Sequence, residues 1–322
     1  MTYDFNNEAT ENNTATHEFY PSSTLKSVNT DALLNSLTIT APEGKKFRGW
    51  NTQADGRGTR YSAGDLLSLR AEKTLYAQWC PYNEDEKVYT ISTEDDFWAF
   101  FSYSGTQSYD RAAHDSVKLL ADISLTDWIA PKIFNGTFDG NSKSLTYTLA
   151  SSSSCALFQE LSGNSCTVKN LTLTGLTLST SSSQVAALAL KATDYATISG
   201  VTLEKSTITS LSSTACVGGL IAEANNIKTS SNTIKGENDT SSGTAVTTPV
   251  KIKVTSGSYI GGIAGYNDTN GKINGGSFVG RATNSSTSSY AEAYVTESRA
   301  TTKAQSARQA QSPLRELFQG RE

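Results

Sequence analysis

Two sets of apolar positions recur through the second half of this chain at nearly the same interval, and this repetition limits its folds more than any other feature. Aligning VKNLTL from Val168, ISGVTL from Ile198, TSSNTI from Thr229 and INGGSF from Ile273 gives steps of 30, 31 and 44 residues. An independent series, Leu157, Leu188, Leu220 and Ile263, steps by 31, 32 and 43. Both lengthen at the same place, where an insert runs from Gly236 to Gly257. A unit of apolar run, turn, apolar run, turn cannot bury its hydrophobic face alone, but stacked copies can. The interval fits one coil with long corners or one and a half ordinary coils, and the period leaves both open.

Strand signals fill the same region. SVKLLADISL, LTYTL, VKNLTLTGLTL, VAALAL, ISGVTL, VGGLIAEA, VKIKV and YIGGIAG are short β-branched or alternating runs broken by Gly, Asn, Asp and Ser. The expected fold is mainly β, with a right-handed parallel β-helix over residues 111–290 whose inward residues stack in aliphatic ladders. Leu157, Leu188, Leu220 and Ile263 are the expected ladder, and Gly218, Gly219, Gly261 and Gly262 mark a recurrent corner just before its last two members. The glycine-rich stretch from Ser258 to Gly276 has a rival reading as a phosphate loop. A turn and another strand follow Gly265, however, where such a loop needs a helix.

The open end of a coil stack exposes apolar surface that must be covered. STEDDFWAFF, Ser92 to Phe101, reads as a short helix with Thr93 as N-cap, acidic Glu94, Asp95 and Asp96 in the first turn, and an apolar face at Phe97, Phe100 and Phe101. Residues 80–110 are then linker and N-terminal capping helix. Residues 291–322, with four of the ten arginines and one glycine, read as a disordered or weakly helical tail.

With 37% hydrophobic residues and a net charge of −4, the chain of 322 residues has the composition of a folded, mildly acidic protein, which argues against nucleic acid as a partner. It has no run of about 18 apolar residues to span a bilayer, so direct membrane insertion is not expected. The start MTYDFNNEATENN lacks the basic and apolar segments of a secretory signal, as either a truncated or a cytosolic chain would. Cys80, Cys155, Cys166 and Cys216 fit no common zinc spacing, and Cys155 and Cys166 read as buried free thiols in preference to a disulfide.

The segment from Ala41 to Trp79 carries Gly44, Phe47, Gly49 and Trp50, then Gly56 and Gly58, then Tyr61, Gly64 and Asp65, and closes in Leu75, Tyr76, Ala77 and Trp79. This pattern resembles the Listeria-Bacteroides repeat, the internalin-type B-repeat, which would cover residues 1–79. The resemblance implies a small β-grasp-like module found in tandem on extracellular bacterial proteins. On the residues themselves, Phe47 and Trp50 can pack with Leu75, Tyr76 and Trp79 as an aromatic core. Further along, FNGTFDGNSKSLTYTL, CALFQEL, TVKNLTLTG, VGGLIAEA and IGGIAGYN resemble the GLUG-containing β-helix regions of bacterial surface proteins over roughly residues 88–282. Such regions include the stalk-like part of some immunoglobulin A-cleaving zinc peptidases. Gln159 replaces the usual glycine after LF, and VAALAL lacks the paired glycines.

Catalytic groups are scarce. The two histidines, His17 and His114, have no matching partners, and HEFYP puts Pro21 where a zinc-peptidase helix needs its second histidine. No arginine lies between Ala112 and Gly280, and the acidic residues there are scattered singly. Asp139 with Asn141, or Asn267 with Asp268, could join a calcium site, but both pairs read as turn chemistry. The expectation is a non-enzymatic, cofactor-free and metal-free fragment of a bacterial cell-surface or secreted protein, a rigid adhesion or display scaffold for host protein or glycan. The alternative is an accessory, non-catalytic region of a larger carbohydrate-active enzyme or immunoglobulin A-type peptidase. The insert from Gly236 to Gly257 is a candidate binding loop, with a tolerated surface insertion as the plainer reading.

Overall fold

A computed structural model describes residues 2–7, 14–16, 25–27, 41–62, 65–68, 72–101, 115–150, 155–212, 215–235, 250–254, 259–267, 276–279, 282–284 and 290–291. These residues are mainly β, 58% strand with one helix, and centre on a parallel β-solenoid of about four turns. Each full coil supplies strands to four parallel sheets. In one coil the strands are Thr167–Thr174 (first sheet), Thr177–Thr180 (second), Gln184–Val185 (third) and Ala189–Thr193 (fourth). The next coil repeats them, with its first strand broken into Thr197–Ser199 and Thr202–Glu204, then Thr207–Ser210, Cys216–Gly218 and Ile221–Ala224. The period is therefore a single coil with long corners. Leu173, Leu203, Ile234 and Phe278 align across four coils of the first sheet, at steps of 30, 31 and 44 residues.

Inward side chains follow the register. Leu157, Leu188 and Leu220 are fully buried and Ile263 is 6% exposed. The Leu188 amide donates to the Leu220 carbonyl at 2.9 Å, and the Leu220 amide to the Ile263 carbonyl at 3.2 Å. The long step has a local cause. Lys251–Val254, inside the expected insert, is an ordinary rung of the second sheet paired in parallel with Thr207–Ser210. The extra length thus falls before Val250, and residues 236–249 lie outside the described residues, as do Ile273, Asp268, His17, His114 and all of the expected tail beyond Ala291.

Corners repeat as strictly as strands. The bend that divides the first sheet falls at Asn170, Gly200 and Ser231, with φ of 52°, 62° and 54°. Glycine enters this left-handed region without a Cβ penalty, and asparagine tolerates it better than most residues. Beside the last bend, buried Asn232 donates from Nδ2 to the Ile198 carbonyl and accepts from the Val201 amide, both at 2.9 Å. One side chain thereby satisfies two backbone groups of the preceding coil.

The N-terminal module is built around Thr74–Asn83. Thr2–Asp4 lies parallel to its first half, and Lys45–Asn51 runs antiparallel along the other edge. Tyr3, Phe5, Trp50, Tyr61, Leu67, Leu75 and Ala77 form the core, with Phe47 and Trp79 packed against it half-buried. Tyr76 lies outside this core, because strand alternation turns it to the opposite face from Leu75 and Ala77. The same strand continues past residue 79 without a break and pairs at Tyr82 and Asn83 with Val88–Ile91. That strand in turn pairs with Ser116–Leu119, an early rung of the first sheet. The segment expected to begin as a linker at Cys80 is therefore strand as far as Asn83.

The helix Glu94–Phe101 closes the near end of the stack. Its start is a capping box: Thr93 Oγ1 accepts from the Asp96 amide, while Asp96 Oδ2 accepts from the Thr93 amide, both at 3.1 Å. Phe97 and Phe101 meet Trp128 and Phe138, and Phe101 also reaches Phe134 and Phe158. Three module arginines grip the helix from the other side. Arg60 donates to the Phe100 carbonyl at 3.2 Å and to the Arg48 carbonyl. Arg48 lies over the Phe100 and Tyr89 rings at 4.3 and 4.4 Å and pairs with Asp115. Arg57 pairs at 3.1 Å with Glu94, which also accepts from the Thr126 amide and hydroxyl.

Cutting Leu188 to alanine leaves a cavity in the ladder and is expected to lower stability by about 2–5 kcal/mol, read as a lower urea midpoint. Phe101→Ala, at the seal between helix and coils, is expected to cost about 3–5 kcal/mol and to loosen the first coils with it. An unchanged midpoint for either variant would contradict the packing described.

Candidate functional site: a groove beside the small-residue corner

Between the third and fourth sheets the chain turns through a column of small residues. The registers Val185 with Val217 and Ala189 with Ile221 place Ala186 and Ala187 level with Gly218 and Gly219. Gly261 and Gly262 follow in the next coil. The Ala187 amide donates to the Gly219 carbonyl at 3.0 Å, and the Gly219 amide to the Gly262 carbonyl at 2.6 Å. Space demands glycine here. A Cβ on Gly218 would sit 1.7 Å from the Ile221 carbonyl oxygen, one on Gly219 2.2 Å from that of Gly262, and one on Gly261 1.8 Å from that of Ala264. VAALAL is the same corner written in alanine. There the buried Tyr147 hydroxyl donates to the Ala187 carbonyl at 2.7 Å, and Trp128 Nε1 to the Leu157 carbonyl at 2.8 Å.

Gln184 and Leu190 bracket this corner in sequence, and both line a groove of about 360 Å³ on the outside of the solenoid. Its other polar walls are Lys132, Gln159, Glu160 and Lys191. Gln159 donates to the Ala130 carbonyl at 3.1 Å, and Glu160 accepts from the Thr193 hydroxyl at 3.1 Å. The lining comes from three successive coils, since Phe134 bridges to Leu161 and Glu160 aligns with Lys191. The row continues from Lys191 to Glu223 and Tyr266, while Gln184 aligns with Cys216 and Tyr259. None of these groove residues was singled out in the sequence as a binding residue. Their signal is the register alone, which a period of 30 to 32 residues supplies only once the corner is fixed.

Two carboxylates of the exterior, Asp139 and Glu204, hold successive coils together. Asp139 accepts from the Asn141 amide at 2.8 Å and Asn170 Nδ2 at 3.2 Å, and it pairs with Lys169 at 3.2 Å. Burial alone would raise its pKa, and these bonds outweigh that and hold it below the usual carboxylate value. Glu204 is lowered in the same balance, burial against the Lys235 ammonium at 2.8 Å. Asp139 with Asn141 is thus a turn that staples one coil to the next. Among the described residues no three His, Cys, Asp or Glu side chains come together as a metal site, and no helix is long and apolar enough to cross a membrane.

None of the four cysteines is in a disulfide; Cys80, Cys155 and Cys166 are buried and Cys216 is half-buried. Burial raises the Cys80 and Cys166 thiols to about 12, and burial with Glu223 nearby raises Cys216 to about 11. A thiol whose folded pKa is raised favours the fold fully below its ordinary value near 9, and that contribution is lost as pH rises from 9 toward the folded value. Stability is therefore expected to fall between about pH 9 and 12, and alkylation of the folded protein at pH 8 to be slow at Cys80 and Cys166 but rapid in urea. Rapid native labelling of Cys166 would contradict its placement.

Residues 2–78 match the family model of the Listeria-Bacteroides repeat domain. A protein of Evansella cellulosilytica named as a Gly-rich membrane protein is 36% identical over 73 residues, a match that spans 20% of this chain and 8% of that relative. No solved structure matches the chain. The N-terminal sheet built on Thr74–Asn83 is thus the part of the chain that family similarity covers.

Proposed function

We propose that this chain is a non-catalytic, surface-associated repeat protein of bacterial origin, in which the solenoid is a rigid support that presents its coil faces to a host protein or glycan. The observation that carries this reading is the joint between the two parts. The strand Thr74–Asn83 belongs to the repeat module at one end and to the first sheet of the solenoid at the other. A module type expected in tandem on extracellular proteins is thereby fused without slack to a stack whose side-chain groups, such as Asp139 and Glu204, serve its own coils. The match to a relative named as a membrane protein supports a place at the cell envelope. Recognition by such a support uses surface area and the side chains of long coil faces.

The experiment is to apply the purified chain to arrays of host matrix proteins and glycans, and separately to incubate it with polysaccharides and immunoglobulin A. Saturable binding without new reducing ends or peptide fragments is expected. Turnover of either substrate by the purified chain would sink the non-catalytic reading.

A further inference from the structure

We infer that the groove beside the small-residue corner binds a linear glycan lying along the solenoid axis, an inference that rests on the surface-scaffold reading. Shape is the first reason. Lys132, Gln159 with Glu160, and Gln184 with Lys191 come from three successive coils, so the groove runs across the strands and along the stack. Its volume of about 360 Å³ is within the range of small-ligand clefts. The register extends the track through Glu223 to Tyr266, where an aromatic residue replaces the charged ones.

Chemistry is the second reason. A sugar hydroxyl is one donor and two acceptor sites, and it is best met by side chains of both kinds. Beside the apolar Ile133 and Leu190, the groove offers two amides, two ammonium groups and a carboxylate, a mixture suited to a hydroxyl-rich chain with apolar ring faces and poorly suited to a densely charged polyanion. Elsewhere on the coils Lys169, Lys205 and Lys235 are in ion pairs with Asp139 or Glu204, while Lys143, Lys228 and Lys251 form none with another described residue. Lys132 and Lys191 form no ion pair with another described residue. A peptide would more readily be captured by strand addition at a free sheet edge. The strand carrying Lys191 is paired on both sides, with Phe158–Ser162 and Ile221–Ala224.

The test is titration calorimetry of the full chain with cellohexaose, xylohexaose, mannohexaose, chitohexaose and a hyaluronan hexasaccharide, repeated on the double variant Gln184→Ala with Lys191→Ala. Thr202→Ala, on the first sheet, is the control. At least one oligosaccharide is expected to bind, with affinity reduced about tenfold in the double variant, the scale of lost ligand hydrogen bonds, and unchanged in the control. Melting temperatures of all three proteins are expected to agree, which separates lost contacts from lost fold. Equal affinity in the double variant overturns the groove assignment. Binding to a matrix protein with no oligosaccharide bound overturns this inference and leaves the scaffold reading standing, whereas no binding of any kind overturns both.

Discussion

Backbone hydrogen bonds between successive coils hold this solenoid together, and they form only if every coil bends at the same places. The first sheet shows the requirement directly. Thr167–Thr174 pairs with both Thr197–Ser199 and Thr202–Glu204 because the left-handed residue at Gly200 repeats the bend at Asn170. A bend one residue out of place would turn every following inward side chain to the solvent. The aliphatic ladder through Leu157, Leu188, Leu220 and Ile263 is thus a consequence of the corners as much as a cause of the stack. The corner between the third and fourth sheets carries the same logic to its limit, since the neighbouring backbones there leave no room for a Cβ at Gly218, Gly219 or Gly261.

A stack of this kind has an end problem, and the chain solves it with parts drawn from both sides of residue 79. Apolar coil ends left open invite pairing with other chains. Here Phe97 and Phe101 close the coil interior, while Arg48, Arg57 and Arg60 reach from the module onto the outer side of the same helix. The helix is short and would be marginal alone, so it depends on both surfaces at once. The module is consequently a cap on the solenoid.

The solenoid was legible in the sequence because its signal is repetition. Two series of apolar positions agreed on period and on the place of the long step, and the structure aligns Leu173, Leu203, Ile234 and Phe278 with the same three intervals. The helix and its cap at Thr93 were legible from local chemistry alone. What stayed hidden depends on contacts distant in the chain. Nothing around Arg48, Arg57 or Arg60 announces the helix residues they grip, 37 to 52 positions further on (94 − 57 and 100 − 48). Tyr76 looked like core because it is aromatic, yet the pleat sends it to the other face. The groove was invisible for a related reason: its walls belong to three coils and meet only after stacking.

Because Thr74–Asn83 runs through both, module, helix and solenoid are expected to open as one cooperative body. Native-state hydrogen exchange reads that cooperativity strand by strand. If the claim holds, amides in both halves of that strand, in Ser116–Leu119 and in Thr167–Thr174 open with one common free energy and the same denaturant dependence. Separate opening of Leu75–Ala77, at a free energy unlike that of the coil strands, would show two independent units and contradict it.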